Sequence, residues 1–126
     1  MFEQDYIMRL VHEIARVLAK ILFNINSETV LEELESRIEE TDILEKLLDM
    51  VDIGKINEAE NELYDLLNQG APNCIETAIL FYSYLNDKSD EFLKENDYSR
   101  EEVKEGIEGV AERVGLSGLT NTLFIG

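Results

Sequence analysis

The sequence has few of the residues from which catalytic and metal sites are most often built. It contains one histidine, His12, one cysteine, Cys74, and no tryptophan. A lone cysteine rules out a disulfide within the chain, and this pair falls short of the ligand set of a structural zinc site. Glycine-rich phosphate-binding patterns are missing too. We therefore predict no catalytic residue, no cofactor and no metal, and a protein that is not an enzyme.

Basic residues and long apolar runs are also scarce. The chain carries 28 acidic against 11 basic residues, a net charge of -17. An acidic surface repels phosphate groups, which argues against nucleic acid as a partner. No apolar run approaches the length of about 20 residues that a membrane span requires. The first residues are acidic where a secretory signal would be basic. We expect a cytoplasmic protein without a membrane span.

What the sequence does contain is a helical pattern almost throughout. Apolar residues recur at steps of three and four, and strand-like alternation is absent before the last few residues. The prediction is an all-α fold with one domain over residues 1–116, in which six or seven helices pack as antiparallel hairpins. Residues 117–126 form a tail that is apolar enough to dock on the domain or on a partner. Its apolar residues are Leu119, Leu123, Phe124 and Ile125.

Serine and threonine residues mark several helix starts. The candidate N-caps are Thr29, Thr41, Ser89 and Ser99. At Thr29 and Ser99 a glutamate follows three residues later, which is the capping-box pattern. The second helix is expected to run to about Glu40. Gly54 stands where a left-handed residue would end the third helix.

The first helix, over about residues 3–23, has a wide apolar stripe. Residues 1–23 contain three acidic and three basic residues, so the whole net charge of -17 lies beyond them. This helix can therefore approach an acidic surface, including that of a second copy, without electrostatic cost. Its heptad-like spacing predicts either a central core helix or a dimer seam. The candidate self-association residues are Ile7, Leu10, Ile14, Val17 and Ile21.

Residues 41–72 partly follow the pattern of a tetratricopeptide repeat, a helical hairpin that binds proteins. Gly54, Ala59, Leu63 and Pro72 stand near the positions that its second helix needs. The first of the two helices within residues 41–72 lacks the aromatic, glycine and tyrosine that the repeat pattern expects. The pattern also does not recur about 34 residues earlier or later in the sequence. We interpret the segment as an ordinary helical hairpin or as a single degenerate repeat, and the fold as loosely similar to such repeats.

Four further features are candidates for function. Tyr82 is the aromatic residue of the fifth helix that is expected to face outward and contact a partner. Cys74 is expected to be a buried structural residue, and His12 a solvated one on the first helix. The acidic segment 87–97 lacks the central glycine of an EF-hand. The alternative to an interaction protein is a small enzyme, or a protein that binds a divalent metal or small molecule through residues 87–97 or Cys74.

Three stretches resemble a known family: MFEQDYIMRLVHEIARVLAKILF, INEAENELYDLL and ILFYSYLNDKSDEFLKENDYSREEVKEGI. They are similar to short, acidic, uncharacterised proteins of low-GC Gram-positive bacteria, which are grouped as a domain of unknown function. The resemblance extends to about Leu116 and implies a bacterial, cytoplasmic, helical protein without assigning an activity. From the residues we predict a non-enzymatic interaction or assembly protein, which binds a protein partner or a second copy.

Overall fold

The computed structural model describes residues 2–118, with side chains described from residue 4 onward. Within this range the chain forms helices and no strand, in one compact domain, which confirms the all-α prediction. The predicted docking of Leu119, Leu123, Phe124 and Ile125 lies outside the described residues. The seven helices of the described range are α1 (Phe2–Phe23), α2 (Val30–Ser36), α3 (Asp42–Asp52), α4 (Ile56–Gln69), α5 (Cys74–Asn86), α6 (Asp90–Glu95) and α7 (Arg100–Arg113).

α5 lies at the centre of the fold because it is apolar on almost every side. Eight of its 13 residues are buried, and it contacts α1, α2, α3, α4 and α7. α1 also packs against α7 and α2, so α1, α5 and α7 share one hydrophobic core. Burying an aliphatic or aromatic side chain contributes about 1.5–3 kcal/mol. The core therefore stabilises the fold far more than the exposed ion pairs do, which contribute about 0–1 kcal/mol each.

α3 and α4 form the hairpin that the sequence predicts. They contact each other directly across a short connection, and Lys46 on α3 forms an ion pair with Glu62 on α4 at 3.1 Å. Ala59 is fully buried, and its small side chain allows α3 and α4 to approach closely. Gly54 has φ +88° and ends α3 as predicted. The N–H of the next residue donates to the Met50 carbonyl at 2.8 Å, as in a Schellman motif.

The predicted helix caps are confirmed at the serines but not at the threonines. Ser89 Oγ accepts a hydrogen bond from a backbone N–H of α6 at 3.0 Å. Ser99 Oγ accepts one from the Glu102 N–H at 3.2 Å. Thr29 and Thr41 occupy the N-cap positions of α2 and α3, but their side chains make no capping hydrogen bond. The predicted capping box at Thr29 is therefore wrong.

α2 ends at Ser36, a turn earlier than the predicted end near Glu40. The backbone N–H groups of Arg37 and Ile38 bond three residues back, at 3.1 Å each, which tightens the chain into a final turn. Ile38 still lies in the core, with 6% of its surface exposed. The apolar spacing therefore located the buried residue correctly but not the end of the helix.

Candidate functional site

The inner side of α1 is covered by the chain's own helices. Among the predicted self-association residues, Ile7, Leu10 and Ile14 are 6%, 2% and 0% exposed. They belong to the core that α1 shares with α5 and α7. These three residues are therefore buried within one chain and cannot line a seam with a second folded copy. In this part of the apolar stripe, α1 is therefore a core helix and not a dimer seam.

The outer flank of α1 keeps the other two predicted residues accessible. Val17 is half-buried, and Ile21 is 56% exposed. Tyr6, with 44% of its surface exposed, lies on the same side about four turns earlier. Lys20 is exposed beside Ile21, and Glu13 is half-buried between the two ends. We call this set of Tyr6, Glu13, Val17, Lys20 and Ile21 the outer flank.

His12 lies on the opposite flank of α1 and is exposed, as the sequence predicts. It borders two shallow cavities, one of about 240 Å³ towards the start of α2 and one of about 380 Å³ towards the end of α5. Arg16 lines the first cavity and holds the Glu13 carboxylate at 2.7 Å. Asn86 and Asp87 line the second. His12 is therefore near carboxylate and amide groups rather than near a thiol.

Cys74 stands at the other end of α5 from the cavity that His12 lines. It is the first residue of the helix, and Asn86 is the last. At 1.5 Å per residue, the two ends are about 18 Å apart along the axis. Cys74 and His12 are therefore not placed to act as a catalytic Cys–His pair. Cys74 is half-buried and packs against the core, so it is less buried than predicted.

Tyr82 is fully buried, so the prediction that it faces outward is wrong. Its exposed fraction is 0%, and its ring meets that of Phe81 edge to face, with centroids 5.2 Å apart. α5 contacts helices on several sides and leaves no outward face at this position. Gly106 on α7 makes room for the ring, since a Cβ atom there would lie 2.1 Å from Tyr82 Cε1.

The hydroxyl of Tyr82 belongs to a cluster of tyrosines around one carboxylate. Glu60 Oε2 accepts hydrogen bonds from Tyr82 at 2.6 Å, from Tyr98 at 2.9 Å and from Tyr64 at 3.2 Å. We call these four residues the tyrosine–glutamate cluster. It joins α4, α5 and the segment before α7 through hydrogen bonds to a charged acceptor, which are stronger than neutral ones.

Burial raises the pKa of the Tyr82 and Tyr98 phenols well above that of an exposed tyrosine. The neighbouring Glu60 carboxylate adds to the effect, because a phenolate beside it would be repelled and would lose its donated hydrogen bond. The raised pKa keeps both hydroxyls protonated as donors at neutral pH. This arrangement can hold three parts of the fold together.

The acidic segment 87–97 is organised around a buried arginine. Arg100 is 4% exposed, and its Nε donates to Asp90 at 3.0 Å. Its two terminal nitrogens donate to the main-chain carbonyls of Asn86 and Lys88, at 2.7 and 2.8 Å. Within the part of the chain that the structure describes, no three His, Cys, Asp or Glu side chains group as metal ligands. The function of Asp90 that the structure shows is therefore to anchor Arg100.

Comparison with protein families shows where the chain belongs. Residues 1–115 match DUF6483, a family of unknown function. The chain is a member of this family. The resemblance to a domain of unknown function is thereby confirmed over almost its whole extent. A bacterial origin and a cytoplasmic location stay predictions for this DUF6483 protein.

Two other comparisons gave no match for the DUF6483 chain, one with curated proteins and one with solved structures. Whether residues 41–72 are a degenerate tetratricopeptide repeat therefore stays a prediction. Among residues 2–118, no helix is both long enough and apolar enough to cross a membrane.

Several residues of the DUF6483 chain that organise these sites are missing from the sequence-based candidates. One local feature could have pointed to Glu60: a tyrosine stands four residues later, on the same side of the helix and within reach of the carboxylate. Gly106 has another, because a glycine inside a helix costs about 1 kcal/mol and often has a packing reason. Asn86 and Arg100 have none, since their partners are distant in sequence or are main-chain carbonyls.

Proposed function

We propose that this DUF6483 protein is a non-enzymatic assembly protein that pairs with a second copy through the outer flank of α1. The observation that carries this proposal is the exposure of Ile21 on the one helix of neutral net charge. Residues 1–23 are neutral, and the rest of the chain carries the whole charge of -17. The rest of the chain is acidic on average, so contacts between other surfaces are in general opposed by like-charge repulsion.

The spacing of the exposed apolar residues suits a two-fold symmetric contact. Tyr6 and Ile21 are separated by about 22 Å along the helix axis. When two α1 helices lie antiparallel, Tyr6 of each copy is beside Ile21 of the other, and Glu13, which is ion-paired with Arg16 of its own helix, is near the centre. In a symmetric dimer each such pair occurs twice. The inner residues of the predicted apolar seam are buried, so the proposed contact uses the outer flank of the same helix instead.

The proposed interface is small, and this determines the affinity that we expect. One helix flank buries far less than the roughly 800 Å² per partner of a standard interface. Self-association is therefore expected at tens of micromolar or above. Because both copies are strongly acidic, added salt screens their repulsion and should strengthen the dimer. An interface held by ion pairs would respond to salt in the opposite direction.

Light scattering over about 10 µM to 1 mM protein, at low and at high salt, tests this proposal. The expected result is a concentration-dependent rise from 14.5 kDa towards twice that mass. Ile21→Glu should weaken the association about tenfold or more, because it buries a charge in an apolar contact. Ile53→Glu is the matched control, since Ile53 is 71% exposed in the acidic part of the chain. A constant 14.5 kDa particle, or equal effects of the two variants, would refute the proposal.

A further inference from the structure

The outward side of the α3–α4 hairpin is largely uncovered by the other described helices. α3 and α4 pack mainly against each other and against α5. The seam between them opens to solvent as a shallow cavity of about 230 Å³. This volume is below the about 300–1,000 Å³ of a small-molecule site, so the cavity suits a side chain that a partner inserts. Its lining residues are Ile43, Lys46, Leu47, Glu62, Asp65 and Leu66.

The floor of this cavity is apolar. Ile43 on α3 has 45% of its surface exposed, and Leu66 on α4 is half-buried. Leu47 lies deeper, with 1% of its surface exposed, and belongs to the core. The other lining residues are charged and form the rim. An apolar centre inside a polar rim is the usual arrangement of a protein–protein interface.

The charge around the cavity is strongly negative. Residues 42–69 contain eight acidic and two basic residues, a net charge of -6. Glu62 on the rim is already paired with Lys46 at 3.1 Å. Asp65 is exposed and forms no ion pair within the described part of the chain. A segment that fills the cavity therefore gains free energy from a positive charge next to its apolar residue.

The same charge decides which occupant fits the seam. Like-charge repulsion opposes a second copy that brings its own α3–α4 hairpin, and it opposes partners that carry phosphate groups. A basic amphipathic helix meets both features of the surface. Its apolar residues, three and four positions apart, enter the seam, and its lysine or arginine residues face the acidic rim.

We propose that the α3–α4 seam binds a basic amphipathic helix of a partner protein. An apolar residue of that helix contacts Ile43 and Leu66, and a lysine or arginine beside it pairs with Asp65. The outer flank of α1 takes no part in this contact, so the proposal does not depend on the proposed self-association.

Isoleucine-methyl NMR tests the site with the whole protein. The probe is an amphipathic helical peptide of about 18 leucine and lysine residues. Its control is a scrambled peptide of the same composition, which has the same charge but no apolar face. We expect the amphipathic peptide, at about 100 µM and low salt, to shift the Ile43 methyl signal. Ile21 on α1, which is 56% exposed, should stay unchanged, and the scrambled peptide should produce much smaller shifts.

Three results of the NMR experiment would overturn the proposal. An Ile43 signal that does not respond to the amphipathic peptide would show that the seam does not bind it. Equal shifts with the scrambled peptide, or equal shifts of Ile43 and Ile21, would show only a general attraction between opposite charges. A shift of Ile43 when the protein is concentrated without peptide would assign the seam to a second copy.

A pair of variants locates the charge contact. Asp65→Asn should weaken binding of the amphipathic peptide about threefold to fivefold, because it removes the unpaired carboxylate of the rim. Asp49→Asn is the matched control: it removes an equal charge from the exposed surface of α3, outside the cavity. Both residues are exposed, so neither variant is expected to unfold the protein. Equal affinities of the two variants would refute the placement of the basic residue at Asp65, and with it the proposed docking.

Discussion

Replacing Gly106 by alanine tests the packing of Tyr82 directly. Gly106 is buried inside α7. An added Cβ would lie 2.1 Å from Tyr82 Cε1, 2.4 Å from Cζ and 2.7 Å from Cδ1. Atoms of neighbouring side chains do not approach so closely, so the ring must move. The ring is fully buried, and its hydroxyl is held by Glu60 at 2.6 Å, so it cannot move without losing contacts.

Two opposing effects decide the stability of Gly106→Ala. Helix propensity alone favours alanine by about 1 kcal/mol. Overpacking of a core costs about 1–3 kcal/mol, and weakening a hydrogen bond to a charged acceptor costs about 1.5–3 kcal/mol more. The clash therefore exceeds the propensity gain, and we expect the variant to lose about 2–4 kcal/mol of unfolding free energy.

Urea unfolding followed by circular dichroism measures this change, and α7 provides its own control. At Gly109 an added Cβ would meet nothing within 4 Å. Gly109→Ala should therefore stabilise the protein by about 0.5–1 kcal/mol. In a Tyr82→Ala background, Gly106→Ala should lose most of its penalty because the ring is gone. Equal stability changes at Gly106 and Gly109 would refute the reasoning.

Two further predictions concern the buried polar groups. Above about pH 10 the folded state keeps protons on Tyr82 and Tyr98 that the unfolded chain releases, so stability should fall by about 1.4 kcal/mol per pH unit for each phenol. Below about pH 10 the two phenols make their full contribution to the unfolding free energy. Urea titrations at about pH 9 and 11 measure the fall in unfolding free energy between these values. Tyr82→Phe should reduce this fall, and an equal fall in the variant would contradict the prediction. Arg100→Lys should cost about 1–3 kcal/mol in urea unfolding, because an ammonium cannot reproduce the guanidinium contacts. Arg113→Lys, at an exposed site on the same helix, should stay within about 0.5 kcal/mol, and similar losses in both variants would contradict the role of Arg100.

The sequence predicts the helices well because the buried face of each helix is marked by apolar residues spaced three and four positions apart. The caps at Ser89 and Ser99 and the end of α3 at Gly54 are all local features, and the structure confirms them. Local patterns do not show which elements surround a helix. The periodicity of α5 alone predicts that Tyr82 faces outward, but helices that contact α5 on several sides bury it.

The stripe on α1 illustrates the same limit for function. Heptad-like spacing fits a helix packed in its own core as well as a helix paired with another chain. Ile7 and Ile14 are buried by neighbouring helices, while Ile21 near the end of α1 stays exposed. The bonds of Glu60 to Tyr82 and Tyr98 and that of Asn86 to Met8 could not be predicted, because they join residues 22 to 78 positions apart.

The contacts of Asn86 connect α7, the end of α5 and α1. Arg100 at the start of α7 donates to the Asn86 carbonyl at 2.7 Å, and Asn86 donates to the Met8 carbonyl at 2.9 Å. α7, the end of α5 and α1 are thus joined by two consecutive hydrogen bonds. Arg100 holds the main chain of Asn86 and the Met8 carbonyl holds its side-chain amide, so both parts of this residue are fixed by neighbouring helices.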